Sequence, residues 1–234
     1  MFLLSLHRIF YTLNQKFKPI MKELKISFLA LSAAFFMTAC SSTPGEKVEA
    51  QEEQEVQEVA STAVDLTVDT EGSVINWVGT KPTGQHSGVM KIKEGKLHLE
   101  EDKLVGGKFT LDMVSIEVTD LEGKQKTDLE GHLKTGDFFE VEKFPTATFE
   151  ITKVEAVEGN PDATHNITGN LTMRDQTKSV TLPAKVELKD GALTAKTPDF
   201  KIDRTEWGIV YKSSKVGDMA INDEMGIQIN LMAK

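Results

Sequence analysis

From about residue 63 to the C-terminus the chain alternates apolar and polar residues one for one. Ile167, Gly169, Leu171 and Met173 take turns with Asn166, Thr168, Asn170 and Thr172. Val180, Leu182, Ala184, Val186 and Leu188 alternate with Ser179, Thr181, Pro183, Lys185 and Glu187, and Ile227, Ile229 and Leu231 continue the rhythm near the end. Successive strand side chains point to opposite faces, so this period places one apolar face on a core and one polar face in water. Further strands are predicted over 73–80, 87–93, 96–101, 105–118, 147–157 and 193–202. Lys93-Glu94-Gly95-Lys96 and Lys189-Asp190-Gly191-Ala192 read as tight hairpin turns in which glycine supplies positive φ.

One segment breaks the rhythm. Thr127-Asp128-Leu129-Glu130 has the form of a capping box opening a short helix from Leu129 to about Thr135, with Gly136 as its stop. About eight strands and one short helix in about 170 residues predict an all-β domain, a barrel or a sandwich, spanning residues 63–234. Closure into a barrel removes the open edges that a long antiparallel sheet otherwise presents.

Composition narrows the class. The 234 residues carry 27 basic and 36 acidic side chains, a net charge of −9, which argues against nucleic acid as a partner. The single cysteine excludes an intramolecular disulfide framework and a cysteine-based zinc cluster. Its position explains it. Lys22 and Lys25 precede an apolar run from Ile26 to Met37, which is followed by Thr38-Ala39-Cys40. That order reads as a lipoprotein signal peptide with Cys40 as the lipid acceptor, although Met37 stands where leucine is usual. Met21 is then the expected start, or residues 1–20 are a dispensable extension, and residues 1–39 are removed. The mature chain would carry 22 basic and 35 acidic groups, a net −13. Two or more acyl chains at about 0.8 kcal/mol per buried CH₂ would hold it on a membrane. Ser41, rather than Asp, favours the outer membrane facing the periplasm.

Residues 40–62 hold six glutamates, one lysine and no aromatic residue. Such a stretch buries too little apolar surface to offset its ordering entropy, so an acidic, disordered tether is expected, with a short helix over 46–60 as the alternative.

Several strings in order resemble the YceI family of exported lipid-binding proteins. They are Trp77-Val78-Gly79-Thr80-Lys81, His86-Ser87-Gly88, Phe109-Thr110-Leu111-Asp112-Met113, and His132-Leu133-Lys134 with Asp137-Phe138-Phe139. Phe144-Pro145-Thr146-Ala147-Thr148-Phe149, Gly169-Asn170-Leu171-Thr172, and Phe200-Lys201-Ile202-Asp203-Arg204 with Trp207-Gly208 complete the series. The resemblance implies a lipocalin-like antiparallel barrel of about eight strands around an elongated apolar ligand, a polyisoprenoid lipid or an isoprenoid quinone. Trp207 stands where phenylalanine is common in the family.

On that fold the inward positions that would line a ligand are Ile75, Trp77, Phe109, Leu111, Met113, Phe138, Phe149, Ile167, Leu171, Met173, Ile227 and Ile229. The methionines suit an irregular chain because the thioether is flexible. The same residues would equally fill a solid core, since period two does not separate a hollow barrel from a packed one. Phe138, Phe139, Phe144 and Phe149 read either as a lid around a ligand or as a plug at one barrel end. His86 and Arg204 are the polar head-group candidates. Arg204 follows Phe200 and Ile202 at period two and, if buried, needs a partner such as Asp112.

The histidine spacings match no metal pattern, and no nucleophile elbow or phosphate loop is present. No metal, cofactor or enzymatic activity is therefore expected. The leading expectation is a lipid-anchored envelope protein that holds or carries an isoprenoid-type lipid. The alternatives are a structural or stress-response protein with a filled barrel, and an enzyme using His86, Arg204 or Asp112.

Overall fold

The structure, a computed structural model, describes residues 43–213, 215 and 221–234. The signal segment and Cys40 lie outside the described residues. Two short strands, β1 (Glu46–Lys47) and β2 (Val64–Thr67), precede the long ones. These are β3 (Val74–Lys81), β4 (Gly84–Glu100), β5 (Lys103–Val118), β6 (Thr146–Ala156), β7 (His165–Met173) and β8 (Gln176–Lys189). The chain ends with β9 (Ala192–Lys196), β10 (Phe200–Asp203) and β11 (Glu224–Ala233). One helix, α1 (Gly123–Leu133), joins β5 to β6, and a 3₁₀ turn covers Arg204–Trp207.

Strands β3 to β9 pair antiparallel in chain order, and β11 closes the circle. On one edge β11 pairs β3, with Ile227 opposite Trp77 and Ile229 opposite Ile75. On the other it pairs β9 through Leu231 and Ala195, then β10 through Ile227 and Phe200. β9 and β10 are thus two halves of one strand, and the barrel has eight staves. The single strand expected over 193–202 breaks at Pro198, which has no N–H for the ladder. Thr197 carries the bonding across the break: its N–H donates to the Ile229 carbonyl at 3.0 Å, and its Oγ1 accepts from the Ile229 N–H at 2.9 Å.

Two other expectations are corrected. Residues 93–96 are not a hairpin; they lie inside the continuous strand β4, where the register shifts between Ile92 and Glu94. Gly95 is there for packing, because a Cβ would come within 2.7 Å of Phe109 Cβ and Val68 Cγ2. The β4–β5 turn instead uses Glu101 and Asp102, both left-handed at φ 48° and 62°. The helix starts six residues earlier than its capping-box signature suggests. Thr127 Oγ1 donates to the Gly123 carbonyl inside the helix (3.2 Å), and Glu130 Oε1 accepts from the Val118 N–H (2.9 Å), tying α1 to the end of β5.

From Thr43 to Gln54 the segment expected to run free through solvent is laid against the barrel. Strand β1 pairs parallel with β10, and the Val48 N–H donates to the Lys201 carbonyl at 2.8 Å. Gln51 and Ser179 exchange N–H and C=O bonds of 2.9 and 3.0 Å. Asn170 Oδ1 accepts from the Gln54 N–H (3.0 Å), and its Nδ2 donates to the Gln54 carbonyl (2.7 Å). The reason is an open seam. β9 covers β8 only at Lys185–Lys189, so the first half of β8 presents main-chain groups without a strand partner on that side. The strap is held mainly by backbone bonds; its four glutamates are exposed, and of them Glu52 pairs with Lys178 on β8 at 3.0 Å.

Asn170 is the side chain that ties the strap to β7. Asn170→Ala should lower stability by about 1–2 kcal/mol for its two lost bonds. In native-state hydrogen exchange the Gln51 amide should be protected relative to its neighbour Glu53; equal, unprotected rates for both would refute the strap.

Candidate functional site

Eight staves enclose a lumen just wide enough either to be filled by side chains or to hold one small ligand. Here it is not filled. A cavity of about 140 Å³ runs inside the barrel, walled by apolar side chains except at one end. Ile75, Trp77, Phe109, Leu111, Met113, Phe138, Phe149, Leu171, Met173, Ile227 and Ile229 all line it. Ile167 does not; it faces a second, smaller void deeper in the barrel. Of the wall residues, Trp77, Leu171, Ile227 and Ile229 keep accessible surface, while Ile75, Phe109, Leu111, Met113, Phe149 and Met173 are buried around the same void. At roughly 24 cal/mol per Å³, an unfilled void of this size costs the fold about 3 kcal/mol.

Trp77 owes its pose to a glycine. Gly88 sits directly across from it in the ladder, and a Cβ on Gly88 would fall 2.4 Å from the indole ring and 1.9 Å from the Glu117 carbonyl oxygen. The indole lies flat over the bare backbone, and its Nε1 donates to the Val89 carbonyl at 3.3 Å. The sequence reading missed this role for Gly88. It also missed Met90 and Met225, which join Met113 and Met173 in the wall. Met90 stands at a register irregularity in β4, and Met225 lies in the first turn of pairing of β11, ahead of the clear alternation.

The mouth is built from α1 and the loop after it. Leu133, Phe138 and Phe139 reach into the cavity. His132 packs edge-on against Phe138 and Tyr211, both at 5.1 Å, and pairs with Asp137 at 2.9 Å. Phe144 is not part of the wall; Lys143 Nζ stands 4.7 Å from its ring centre. Arg174, in the β7–β8 turn with φ 55°, ties the mouth together. It donates to the carbonyls of Phe138 (3.4 Å) and Gly208 (3.2 Å) and pairs with Glu140 (3.1 Å).

The polar end of the cavity is formed by Arg204, Asn222 and Glu224. Arg204 is 1% exposed. Its Nε donates to the Asn222 carbonyl (3.2 Å), Nη1 to Ile209 (2.6 Å), and Nη2 to Tyr211 (3.0 Å) and Ile221 (3.2 Å). Its carboxylate partner is Asp223 at 3.3 Å, not Asp112, which accepts from the Val114 N–H elsewhere on β5. Burial pushes the guanidinium pKa down, and Asp223 and Asp203 oppose that shift. Arg204 thus lines the polar end of the cavity while its guanidinium ties together the backbone at Ile209, Tyr211, Ile221 and Asn222. Asn222 Nδ2 donates to Thr43 Oγ1 (3.2 Å) and Thr80 Oγ1 (3.1 Å), so the strap meets the site here. Lys201 pairs with Glu224 at 2.6 Å.

His86 is not brought to the cavity. It sits near the β3–β4 turn, paired with Asp120 at 2.9 Å. Burial raises the Asp120 pKa, but the Ser87 N–H and His86 outweigh it and hold the carboxyl below its usual range. Among the described residues, no group of three or more His, Cys, Asp or Glu is placed to hold a metal ion.

A closed eight-stranded antiparallel barrel with an apolar lumen is a barrel of the lipocalin-like kind. The comparisons place it more closely. The YceI-like domain model matches residues 66–233, and the chain belongs to that family. A UPF0312 protein of Pseudomonas aeruginosa is 53% identical over 55 residues, covering 24% of this chain and 27% of the relative. The matched stretch thus spans about a quarter of that curated relative's length. Among solved structures, Burkholderia cenocepacia BcnA superimposes with a TM-score of 0.57 at 22% identity, covering 71% of this chain and 99% of that one. A polyisoprenoid binding domain from Saccharophagus degradans, implicated in plant cell wall breakdown, gives 0.52 at 11% identity, covering 72% and 97%. These two likenesses establish the shared barrel.

The Gly88–Trp77 contact can be tested directly. Gly88→Ala should destabilise the protein by about 3 kcal/mol in urea unfolding, because the Glu117 backbone has nowhere to yield. It should also shift Trp77 emission in the folded protein. An unchanged midpoint would show that the strands separate freely at this point.

Proposed function

We propose that this protein binds an elongated apolar lipid of isoprenoid type, a polyprenol or isoprenoid quinone, inside the barrel, without catalysing a reaction on it. The cavity carries this reading: it is a costly, apolar space inside the barrel, with polar groups only at one end. Such a space suits a hydrocarbon tail with a more polar head near Asn222 and Glu224. Each five-carbon isoprene unit buried would return about 3–4 kcal/mol gross at about 0.8 kcal/mol per carbon. Filling the void also recovers what the empty space costs. The polyisoprenoid-binding domain of Saccharophagus degradans, with the same fold, is consistent with it. A filled barrel serving only as a structural or stress-response protein fits poorly with a void of about 140 Å³ inside it.

We further propose that the mature chain starts at Cys40 and is held by acyl chains at the envelope, in the outer membrane facing the periplasm. Support comes from the basic, apolar and small-residue order of 21–40. The strap that begins at Thr43 would then place the barrel close to the lipid surface.

Organic extraction of the purified barrel followed by mass spectrometry should recover a long apolar isoprenoid. Clean apo protein that takes up neither polyprenol nor quinone, with no rise in melting temperature, would overturn the lipid reading. The chain has two tryptophans, and only Trp77 lines the cavity; Trp207 is sealed, its Nε1 donating to the Leu171 carbonyl at 2.9 Å. An added quinone should therefore quench wild-type emission, and Trp77→Phe should lose most of that quenching. For the anchor, Cys40→Ser should move the protein from the detergent phase to the aqueous phase on Triton X-114 partition. Aqueous partition of the wild type would rule the anchor out.

A further inference from the structure

The barrel interior holds two voids in line rather than one. The main cavity lies toward the mouth and Arg204, and the second, about 40 Å³, lies at the opposite end. There it is lined by Leu97 and Leu104, on either side of the β4–β5 turn, with Ile151, Ile167 and Ala184. The deep chamber offers nothing for a polar group to bind. Its one hydroxyl, on Thr197, already accepts the Ile229 N–H.

What separates the voids is an aromatic pair. Phe109 and Phe149 line both, and so do Leu182 and Ile229. The two phenylalanines are direct ladder partners on β5 and β6, with ring centres 5.4 Å apart and planes inclined at 36°. Both are buried, at 5% and 4% exposure. Their seats are fixed from behind by two glycines. Gly95 faces Phe109 across the β4–β5 ladder and leaves no room for a Cβ beside it. A Cβ on Gly169 would fall 2.5 Å from the Phe149 ring, so that ring rests on bare backbone of β7. Rings seated in this way form a fixed wall across the lumen.

We propose that the Phe109–Phe149 pair is the chain-length determinant of the binding site: the tail of the bound lipid ends against these rings, and the deep chamber lies beyond its reach. This rests on the apolar-chain reading above. A phenyl ring holds more carbons than an isoprene unit. Trimming Phe149 and thereby joining the chambers makes room for about one further unit in an interior packed at ordinary density.

The test is a retention profile. The full barrel, wild type or variant, is incubated with free prenols of increasing isoprene number, and bound species are read by native mass spectrometry. Wild type should show a sharp upper length limit. Phe149→Ala should raise that limit by about one isoprene unit, and adding Ala184→Leu, which fills the deep chamber, should take back part of that gain. Ala184→Leu alone should leave the wild-type limit in place. Phe149→Leu, a milder change that keeps an apolar side chain at the position, should raise the limit less, and it serves if Phe149→Ala does not fold. An unchanged limit in folded Phe149 variants, or a wild-type limit that Ala184→Leu shortens, overturns the partition. A wild type that retains prenols of every length alike overturns it too. If wild type retains no prenol at all, it is the lipid reading that fails.

Discussion

A sheet with a row of unpaired N–H and C=O groups along its edge either closes on itself or recruits another strand. In this protein β11 does the closing. It stands between β3 on one side and the broken β9–β10 stave on the other. The break at Pro198 lets one stave serve two heights of β11, with Thr197 bridging the gap. It leaves the early part of β8 without a partner, and the N-terminal strap fills the seam. A glutamate-rich segment is ordered there because its main chain supplies what the seam lacks.

Closure creates the interior, and the ends decide whether it is usable. At one end Arg204 takes up carbonyls of residues 209, 211, 221 and 222, which would otherwise be costly to bury. A buried guanidinium is tolerable when its donors are all engaged and a carboxylate stands beside it, as Asp223 does. The neighbouring Asp203 caps the 3₁₀ turn, accepting from the Thr205 N–H at 2.9 Å and from Lys215 at 2.7 Å. Arg174 performs the matching task between the mouth loop and Gly208. The two arginines thus bind backbone carbonyls around the barrel end, and the lumen beyond them is walled by apolar side chains.

Legibility followed the physics of each signal. The strands on the outer and inner faces of β7, β8 and β11 could be read because alternation is a local property of side chains. The Asp190-Gly191 turn could be read because glycine after aspartate marks a left-handed pair; Glu101-Asp102 could not, because glutamate seldom takes positive φ and no glycine follows the aspartate. Gly95 was misread as a turn glycine, and Gly88 went unread, because what each accommodates is an aromatic residue on the next strand. Eleven of the twelve expected wall positions face the main cavity, since inward direction follows from the period. Ile167 also faces inward, but its height along the barrel axis, which the period does not encode, sets it in the other void. The strap is hidden from composition for a similar reason: composition describes side chains, and from Val48 to Gln54 the strap is bound chiefly through its backbone.

The amino-acid sequence by itself determined an all-β chain with one helix and which side chains face inward. It also carried the order of motifs that marks the YceI-like family. Periodicity, turn chemistry and motif spacing are all written within a few residues of one another. Only the tertiary structure decided that the interior is hollow and divided by Phe109 and Phe149, that Arg204 pairs with Asp223, and that an acidic leader closes a seam in the barrel. Each of those depends on groups far apart in the chain meeting at a distance of a few ångströms, and on volume left over after they have met.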